Sequence, residues 1–252
     1  MRKLLLLFFI FILPIAVFAD DLSLCYNVKA LFVTVGKTCI HYKKDKDTLY
    51  FNSIIRSSRL VSFMKRIEDK GKGIADLKSF KPKYFLFDQE ESKYKATNEY
   101  IYHDDKIVSK TTHYDKSWKP TEEEIKEFSS TDYFEPFMLS MVFYKNIHHK
   151  KEEPLKLFYK NKTYNIPYKI LGDEIEEING KKVPVKKISV KPFIKGKGLL
   201  VPYGEWFIYL DKSNLYPVKI EAKFVFVSAV AYIETIEGKN TLIKEIIEQY
   251  SN

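Results

Sequence analysis

The chain has 252 residues, of which 42 are lysine or arginine and 33 are aspartate or glutamate, giving a formal net charge of +9. The lysines are scattered and usually stand beside acidic residues, as on solvated strand faces, so the positive charge does not indicate nucleic-acid binding. The length suits one large β domain better than two independent domains.

The N-terminal segment 1–19 is typical of a secretory signal peptide. After a basic start, the uncharged run Leu4–Phe18 leads to the small residue Ala19. A membrane-spanning helix needs about twenty apolar residues, whereas this run is shorter and is interrupted by Pro14. We therefore predict cleavage after Ala19, a periplasmic mature protein that forms a single β-rich domain over residues 20–252, and no transmembrane segment within it. An uncleaved membrane anchor is the alternative.

Two cysteines, Cys25 and Cys39, lie at equal distances in sequence from Phe32. A hairpin turn near residues 31–33 would place them opposite each other on adjacent strands, close enough for a disulfide bond in an oxidising compartment. Two small buried thiols are an equally good interpretation, because cross-strand bridges are strained.

Short runs in which β-branched or aromatic residues alternate with charged ones predict a mostly β protein. The clearest is a hairpin over residues 206–226, with a polar turn at residues 211–214. Its strands present apolar rows on one face: Trp206, Ile208 and Leu210, then Val218, Ile220, Ala222, Phe224 and Phe226. Further strands are predicted near 22–32, 35–44, 47–56, 82–89, 93–103, 106–115, 155–160, 163–173, 183–193 and 227–236.

Two segments follow helical spacing instead. In the first, a capping pair Ser57-Ser58 precedes Leu60, Val61, Met64 and Ile67. The second covers residues 131–145 and begins at a capping Asp132. Its apolar residues share one broad helical face: Phe134, Phe137, Met138, Met141 and Val142.

Two shorter stretches carry weaker helical signals. The acidic run Glu122–Glu124 predicts the start of a short helix, where negative charge complements the helix dipole. Residues 240–250 have apolar side chains at helical spacing, and a final strand is nearly as good an interpretation.

The helix over residues 131–145 contains few polar side chains, so it must be buried on most sides. An antiparallel sheet of about ten strands has one apolar face that also needs cover. A curved sheet wrapped around this helix meets both needs. The predicted fold class is therefore mainly β, with one or two helices on the concave face.

Several motifs occur in a characteristic order: Tyr26-Asn27-Val28 with Val35-Gly36, Ser58-Arg59-Leu60 with Leu77–Tyr84, Asp132–Lys145, and Gly204–Ile208 with Leu215–Ala222. This order resembles the family of exported bacterial proteins catalogued as domain of unknown function 3108 (DUF3108). The resemblance implies a fold similar to that of the lipoprotein carriers LolA and LolB, in which a curved antiparallel sheet forms an incomplete barrel and helices fill its mouth. It also implies a cavity for an acyl chain or similar hydrophobe, and it brings no catalytic residue.

No sequence pattern predicts catalysis, a metal site or a cofactor. The chain has no Gly-x-Ser-x-Gly motif, and none of its five histidines belongs to a metal-binding signature. His103 with Asp104 and Asp105 is better explained as a hairpin turn. We therefore expect a non-enzymatic protein.

Aromatic residues are abundant, with 18 tyrosines and 19 phenylalanines. They predict a cavity for an apolar ligand, although simple packing against the helices explains them equally well. Our first hypothesis is a periplasmic protein that binds or carries a lipid or another hydrophobic molecule. The alternative is a cell-envelope interaction or scaffold module with a filled core and a protein partner. The predicted cavity wall consists of Phe134, Phe137, Met138, Met141, Trp206, Ile208, Ile220, Ala222 and Phe224.

Overall fold

The computed structural model describes residues 20–63, 66–129, 132–194, 201–225 and 227–250. The predicted signal peptide lies outside these residues. The strands of the described chain are β1 (Asp20–Ala30), β2 (Val33–Asp45), β3 (Thr48–Ser57), β4 (Glu68–Asp76), β5 (Lys81–Glu91), β6 (Tyr94–Tyr102), β7 (Ile107–Tyr114), β8 (Pro120–Phe128), β9 (Leu155–Tyr159), β10 (Lys162–Ile166), β11 (Tyr168–Ile178), β12 (Lys181–Val190), β13 (Trp206–Asp211), β14 (Pro217–Lys223) and β15 (Ser228–Gly238). Its helices are α1 (Arg59–Ser62), α2 (Pro136–His148) and α3 (Leu242–Tyr250).

Thirteen of these strands form one antiparallel sheet, and β9 and β10 form a separate hairpin. The sheet order is β11-β12-β13-β14-β15-β1-β2-β3-β4-β5-β6-β7-β8, so the first strand of the described chain pairs with the last one in the middle of the sheet. Strands β11 and β8 form the two edges, and the described strands do not close into a barrel. The predicted fold class is confirmed, with thirteen strands in the sheet instead of about ten.

The sheet is strongly curved. Side chains of β5 and β13 line one common cavity, although six strands lie between them. In a flat sheet, the seven inter-strand steps of about 4.8 Å would hold these strands roughly 34 Å apart. Bulges interrupt β1 on both sides, next to Cys25 and next to Val28, and bulges of this kind bend and twist a strand.

Alternating side chains define the concave face. In β1, Leu22 and Leu24 are fully buried, and in β3 the same is true of Leu49 and Phe51. The residues between them point to the convex face and are more exposed. Because burying one such side chain stabilises a fold by about 1.5–3 kcal/mol, these rows fix which face turns inward.

The first predicted helix is largely wrong. Helix α1 ends at Ser62 after a single turn, and Ser58 precedes it without a capping side-chain hydrogen bond. Ile67 pairs with Glu91 as an isolated bridge ahead of β4. Strand β4 was not predicted, because Gly71 and Gly73 occupy the concave positions at which a strand pattern would show large apolar residues.

The short helix predicted at Glu122–Glu124 is also wrong, because these residues belong to β8. This edge strand is almost entirely exposed and has no apolar row that would identify it in the sequence. It is held by pairing with β7, where Thr112 lies opposite Glu123 and Lys110 forms an ion pair with Glu123 at 2.8 Å. Pairing with a neighbouring strand overrides the local helical preference.

Helix α2 exists but begins at Pro136 instead of near residue 131. Asp132 is exposed and precedes the helix, whereas the carboxylate of Glu135 accepts hydrogen bonds from the amides of Phe137 (2.5 Å) and Met138 (2.8 Å). Glu135 is therefore the capping residue. Burial raises its pKa to about 8, against the opposing effect of the two amide hydrogen bonds.

The hairpin of β9 and β10 covers part of the concave face. Phe158 packs edge-on against Tyr100 and Phe128, with ring centroids 4.9 and 4.8 Å apart. The strand predicted over residues 163–173 is two strands. Strand β10 ends before Pro167, and β11 begins after it at the edge of the main sheet.

Residues 242–250 form helix α3, which decides between the two interpretations of the C-terminal segment. Its apolar side chains Leu242, Ile243, Ile246 and Ile247 are all fully buried. The hydroxyl of Tyr250 donates to Asp47 at 3.0 Å, so the helix packs at the end of the sheet where β2 turns into β3. None of the helices in the described part of the chain has the length and apolar character needed to cross a membrane.

Cys25 and Cys39 lie directly opposite each other in the pairing of β1 with β2, and the structure joins them in a disulfide bond. The turn between these strands falls at Leu31 and Phe32, within the predicted region. Because Leu24 and Tyr26 face the core, the bond lies on the convex side of the sheet. It links two strands in the middle of the sheet, close to where β1 and β15 join.

Candidate ligand-binding site

A cavity of about 770 Å³ lies within the concave face, at the end of the sheet opposite helix α3. Pockets that bind small molecules commonly have volumes of about 300–1,000 Å³. Apolar residues make up most of its wall: Val28, Ala30, Val35, Ile55, Val61, Ile67, Phe87, Pro202, Trp206, Ile220, Ala222, Phe224, Val227, Ala229 and Ala231. The remaining lining residues are Thr38, Tyr159, Asp69, Gln89 and Glu91.

Small side chains at facing positions create the space. Ala222 of β14 lies opposite Ala229 of β15, and Ile220 lies opposite Ala231 in the same pair of strands. Larger residues at these three alanine positions would fill the hollow, as leucines and phenylalanines do elsewhere on the concave face. The three alanines of β14 and β15 therefore account for the space in this part of the cavity.

Two aromatic side chains form a defined part of the wall. The rings of Trp206 and Phe224 meet edge to face, with their centroids 5.3 Å apart. The indole Nε1 of Trp206 donates a hydrogen bond to the carbonyl oxygen of Lys223 at 2.8 Å. The polar edge of the indole is thus satisfied by the protein, and its apolar face is left for the cavity.

One side of the cavity is polar and deeply buried. Asp69 of β4 and Gln89 and Glu91 of β5 each expose at most 3% of their surface. The amide of Glu90 donates to Asp69 Oδ1 at 2.9 Å, and Gln89 Nε2 donates to Glu91 Oε1 at 3.0 Å. These hydrogen bonds hold the polar side chains in fixed positions beside an apolar wall.

The electrostatics of this polar side are unusual. Burial raises the pKa of Asp69 to about 7, and the negative charge of Glu91 acts in the same direction. Burial also lowers the pKa of Lys160, which follows β9, while the same two carboxylates oppose that change. Near neutral pH, the cluster can therefore hold or release a proton, and it can offer both donors and acceptors to a polar group.

The predicted wall residues fall into two groups. Trp206, Ile220, Ala222 and Phe224 line the cavity. Phe137, Met138 and Met141 of α2 are buried in the hydrophobic core and do not line it. Phe134 and Ile208 are half-buried and pack against the same core.

Close packing against β4 explains why α2 covers part of the concave face but does not line the cavity. The ring of Phe137 lies directly over Gly71 and Gly73, where an added Cβ would come within 2.5 and 2.8 Å of it. It also stacks on Phe51, with centroids 5.4 Å apart and an interplanar angle of 6°. The helix face predicted to bind a ligand is therefore used by the protein itself.

The polar side of the cavity was not predicted. In the structure, Gln89 and Glu91 continue the concave row of Phe85 and Phe87, but residues 84–87 are apolar or aromatic on both faces of β5, so alternation alone does not assign these two polar side chains to the concave face. Asp69 could not be found either, because β4 has no recognisable strand pattern.

Comparisons with known proteins give a family match and two structural likenesses. The family model described as "Protein of unknown function (DUF3108)" matches residues 25–234. A β-barrel-like protein of domain of unknown function DUF1849 from Brucella abortus is 11% identical, covers 87% of this chain and 98% of its own, and superposes with a TM-score of 0.54, which indicates a similar fold. A putative outer membrane lipoprotein-sorting protein domain from Vibrio parahaemolyticus is 12% identical over 91% of this chain and 92% of its own, with a TM-score of 0.28. No curated protein matches the chain.

Proposed function

We propose that this chain, which belongs to the DUF3108 family of proteins of unknown function, is a non-enzymatic protein that binds or carries a lipid or another hydrophobic molecule. The observation that carries the proposal is the cavity of about 770 Å³ with a mostly apolar wall and one polar side. The family assignment agrees with the motif order in the sequence, and by its own description it supplies no activity.

The physical basis of binding is the release of water from apolar surface. Burying such surface contributes about 25 cal/mol per Å², so a single acyl chain against this wall gains several kcal/mol. The apolar part of the ligand packs against Trp206, Phe224 and the alanines of β14 and β15. A hydroxyl, amide or amine of the ligand can reach Asp69 and Gln89, which makes an amphiphile a better fit than a pure hydrocarbon.

The same proposal places the mature protein in the periplasm, after cleavage behind Ala19. The charged and then apolar segment 1–19 supports export, and the pairing of Cys25 with Cys39 fits an oxidising compartment. A partner protein of the cell envelope would be needed to deliver or receive a carried ligand.

Ligand retention tests the proposal directly. Protein recovered from the periplasm of an expression host should carry a hydrophobic molecule that native mass spectrometry and organic extraction both detect. Ala229→Phe places a ring in the cavity and should reduce the bound fraction at least tenfold, because one ring displaces a large part of an acyl chain. The matched control is Ile175→Phe on the exposed side of β11, which should retain the ligand.

Two results would contradict the proposal. One is native protein that is empty after isolation and that also fails to take up a fluorescent hydrophobic probe. The other is equal retention by the Ala229→Phe variant and the native chain, which would place the bound molecule outside the cavity.

The scaffold alternative has less support. It requires a concave face that is filled, with space for no more than a few waters. Helix α2 and the hairpin of β9 and β10 do fill one part of the concave face, but the cavity remains beside them.

A further inference from the structure

The end of the sheet that holds the cavity also carries a group of exposed apolar side chains. We name this group the rim: Leu31 and Phe32 at the turn between β1 and β2, Leu60 and Phe63 in and after α1, and Val225 and Val227 between β14 and β15. Phe32 and Phe63 are almost completely exposed, and Leu31 is 87% exposed. Side chains of this size are rarely left in water without a function when they are grouped.

The rim adjoins the cavity along the chain. Leu31 and Phe32 connect two lining residues, Ala30 and Val35, and Leu60 and Phe63 flank the lining residue Val61. Val227 itself lines the cavity and is also exposed, so it lies at the opening.

The rim segments are also held next to each other. The amide of Ser58 donates to the carbonyl of Val35 at 2.8 Å, which ties α1 to β2. Strand β1 pairs with β15 up to Lys29 and Val230, so the turn between β1 and β2 lies beside the one between β14 and β15. The three rim segments therefore lie together at the cavity end of the sheet.

Basic side chains predominate around the rim. Residues 29–37, 56–66 and 223–228 contain no aspartate or glutamate, and they include the exposed basic residues Lys29 and Arg59. Glu68, which follows the second segment, is shared by Arg56 at 3.2 Å, Arg66 at 2.9 Å and Lys70 at 3.3 Å. This group of four side chains therefore retains a positive charge.

We propose that the rim docks on the surface of an anionic lipid bilayer, with its apolar side chains in the interfacial layer and its basic side chains against the lipid headgroups. Apolar side chains surrounded by lysine and arginine are the combination that such a surface binds. Docking brings the opening of the cavity against the lipid, so that a hydrophobic ligand passes between bilayer and cavity without crossing water. The docking itself does not require an occupied cavity.

Vesicle binding tests this proposal. Protein recovered from the periplasm of an expression host should co-sediment with vesicles of phosphatidylcholine mixed with phosphatidylglycerol, and more weakly with phosphatidylcholine alone. Phe32→Ser combined with Phe63→Ser should lower the partition coefficient at least tenfold, given roughly 25 cal/mol per Å² of apolar surface withdrawn from water. Arg59→Glu should weaken binding to the anionic vesicles alone, by about fivefold or more.

The matched control is Ile125→Ser combined with Ile175→Ser. Both isoleucines are exposed apolar residues, on β8 and β11, and lie away from the rim. This control should bind vesicles as the native chain does. The depth of the rim in the bilayer can be measured with Phe32→Trp in a chain whose two native tryptophans are replaced by phenylalanine. The fluorescence of this tryptophan should be quenched by brominated lipid, whereas that of Ile125→Trp in the same background should not.

Several results would overturn the proposal. They are absence of vesicle binding by the native chain, unchanged binding after loss of both rim phenylalanines, and an equal loss in the control pair. A native dimer that Phe32→Ser converts to monomer without any vesicle binding would show that a second copy covers the rim. Ala229→Phe, which blocks the cavity, should still bind vesicles, so a failure of ligand binding and a failure of docking are distinguishable.

Discussion

Asp69 is a carboxyl group in the wall of an otherwise apolar cavity, and its titration should be visible in the stability of the protein. Its pKa is about 7 in the folded chain, against an ordinary value of 3.8. Between these two values the folded chain holds a proton that the unfolded chain has lost, so this group lowers stability as the pH rises from about 4 to about 7. Above pH 7 the charged form costs up to about 4 kcal/mol.

Asp69→Asn should therefore make the protein more resistant to urea at pH 8 and leave it nearly unchanged at pH 4, because asparagine cannot ionise but can still accept from the amide of Glu90. Urea unfolding of both chains across this pH range measures the difference. Asp105→Asn, in the exposed turn between β6 and β7, is the control and should show no such difference. Parallel pH profiles for native and Asp69→Asn chains would show that Asp69 is already ionised or well solvated.

Among the elements, the contact between α2 and β4 explains why the cavity lies beside α2. It also explains why Phe137 packs against the sheet and does not line the cavity as predicted. A Cβ at position 71 would come within 2.5 Å of the Phe137 ring and 2.6 Å of Ser53 Oγ. Gly71→Ala should therefore reduce the free energy of unfolding by about 1–3 kcal/mol. In a Phe137→Leu chain the same substitution should cost less, because the smaller side chain can move away.

A double-mutant cycle by chemical denaturation measures this coupling, with Gly180→Ala as a control at a turn where nothing lies within 4 Å of an added Cβ. The Gly180 backbone has a positive φ of 75°, so the control itself carries some strain, but that strain should be the same in both backgrounds. Additive effects of Gly71→Ala and Phe137→Leu would contradict the packing described here.

The elements that could be predicted are those with a regular apolar row. Trp206, Ile220 and Ala222 were assigned to the concave face because β13 and β14 alternate clearly, and they line the cavity. Strand β4 has glycines in its row and β8 has no row, so neither could be recognised. The start of α2 was misplaced because aspartate is a preferred capping residue and glutamate is not, yet the structure places Glu135 at the cap, directly before Pro136.

At the scale of the whole molecule, the two ends of the curved sheet have different surroundings. At one end, α3 packs close to the turn between β2 and β3, and its four buried aliphatic side chains close that end. The cavity and the rim lie at the other end. Which concave residues stay uncovered depends on where α2 and the β9–β10 hairpin pack. Helical spacing in α2 and alternation in β13 could therefore assign Phe137 and Trp206 to the concave side, but could not show that Phe137 fills the core whereas Trp206 lines the cavity.

The disulfide between Cys25 and Cys39 ties together the two strands at the centre of this sheet, and its effect should reach the whole fold. It closes a loop with a sequence separation of 14 residues, for which the chain-entropy model gives a stabilisation of about 3 kcal/mol. A chain with Cys25→Ser and Cys39→Ser should lose that amount in urea unfolding, and reductant should bring the native chain to the same midpoint while leaving the double variant unchanged. Intact mass of protein recovered from the periplasm should show the bond formed and a chain that begins at Asp20. A native midpoint that is insensitive to reductant would mean that the sheet holds these strands equally well without the bond, and a mass that includes residues 1–19 would favour the uncleaved anchor.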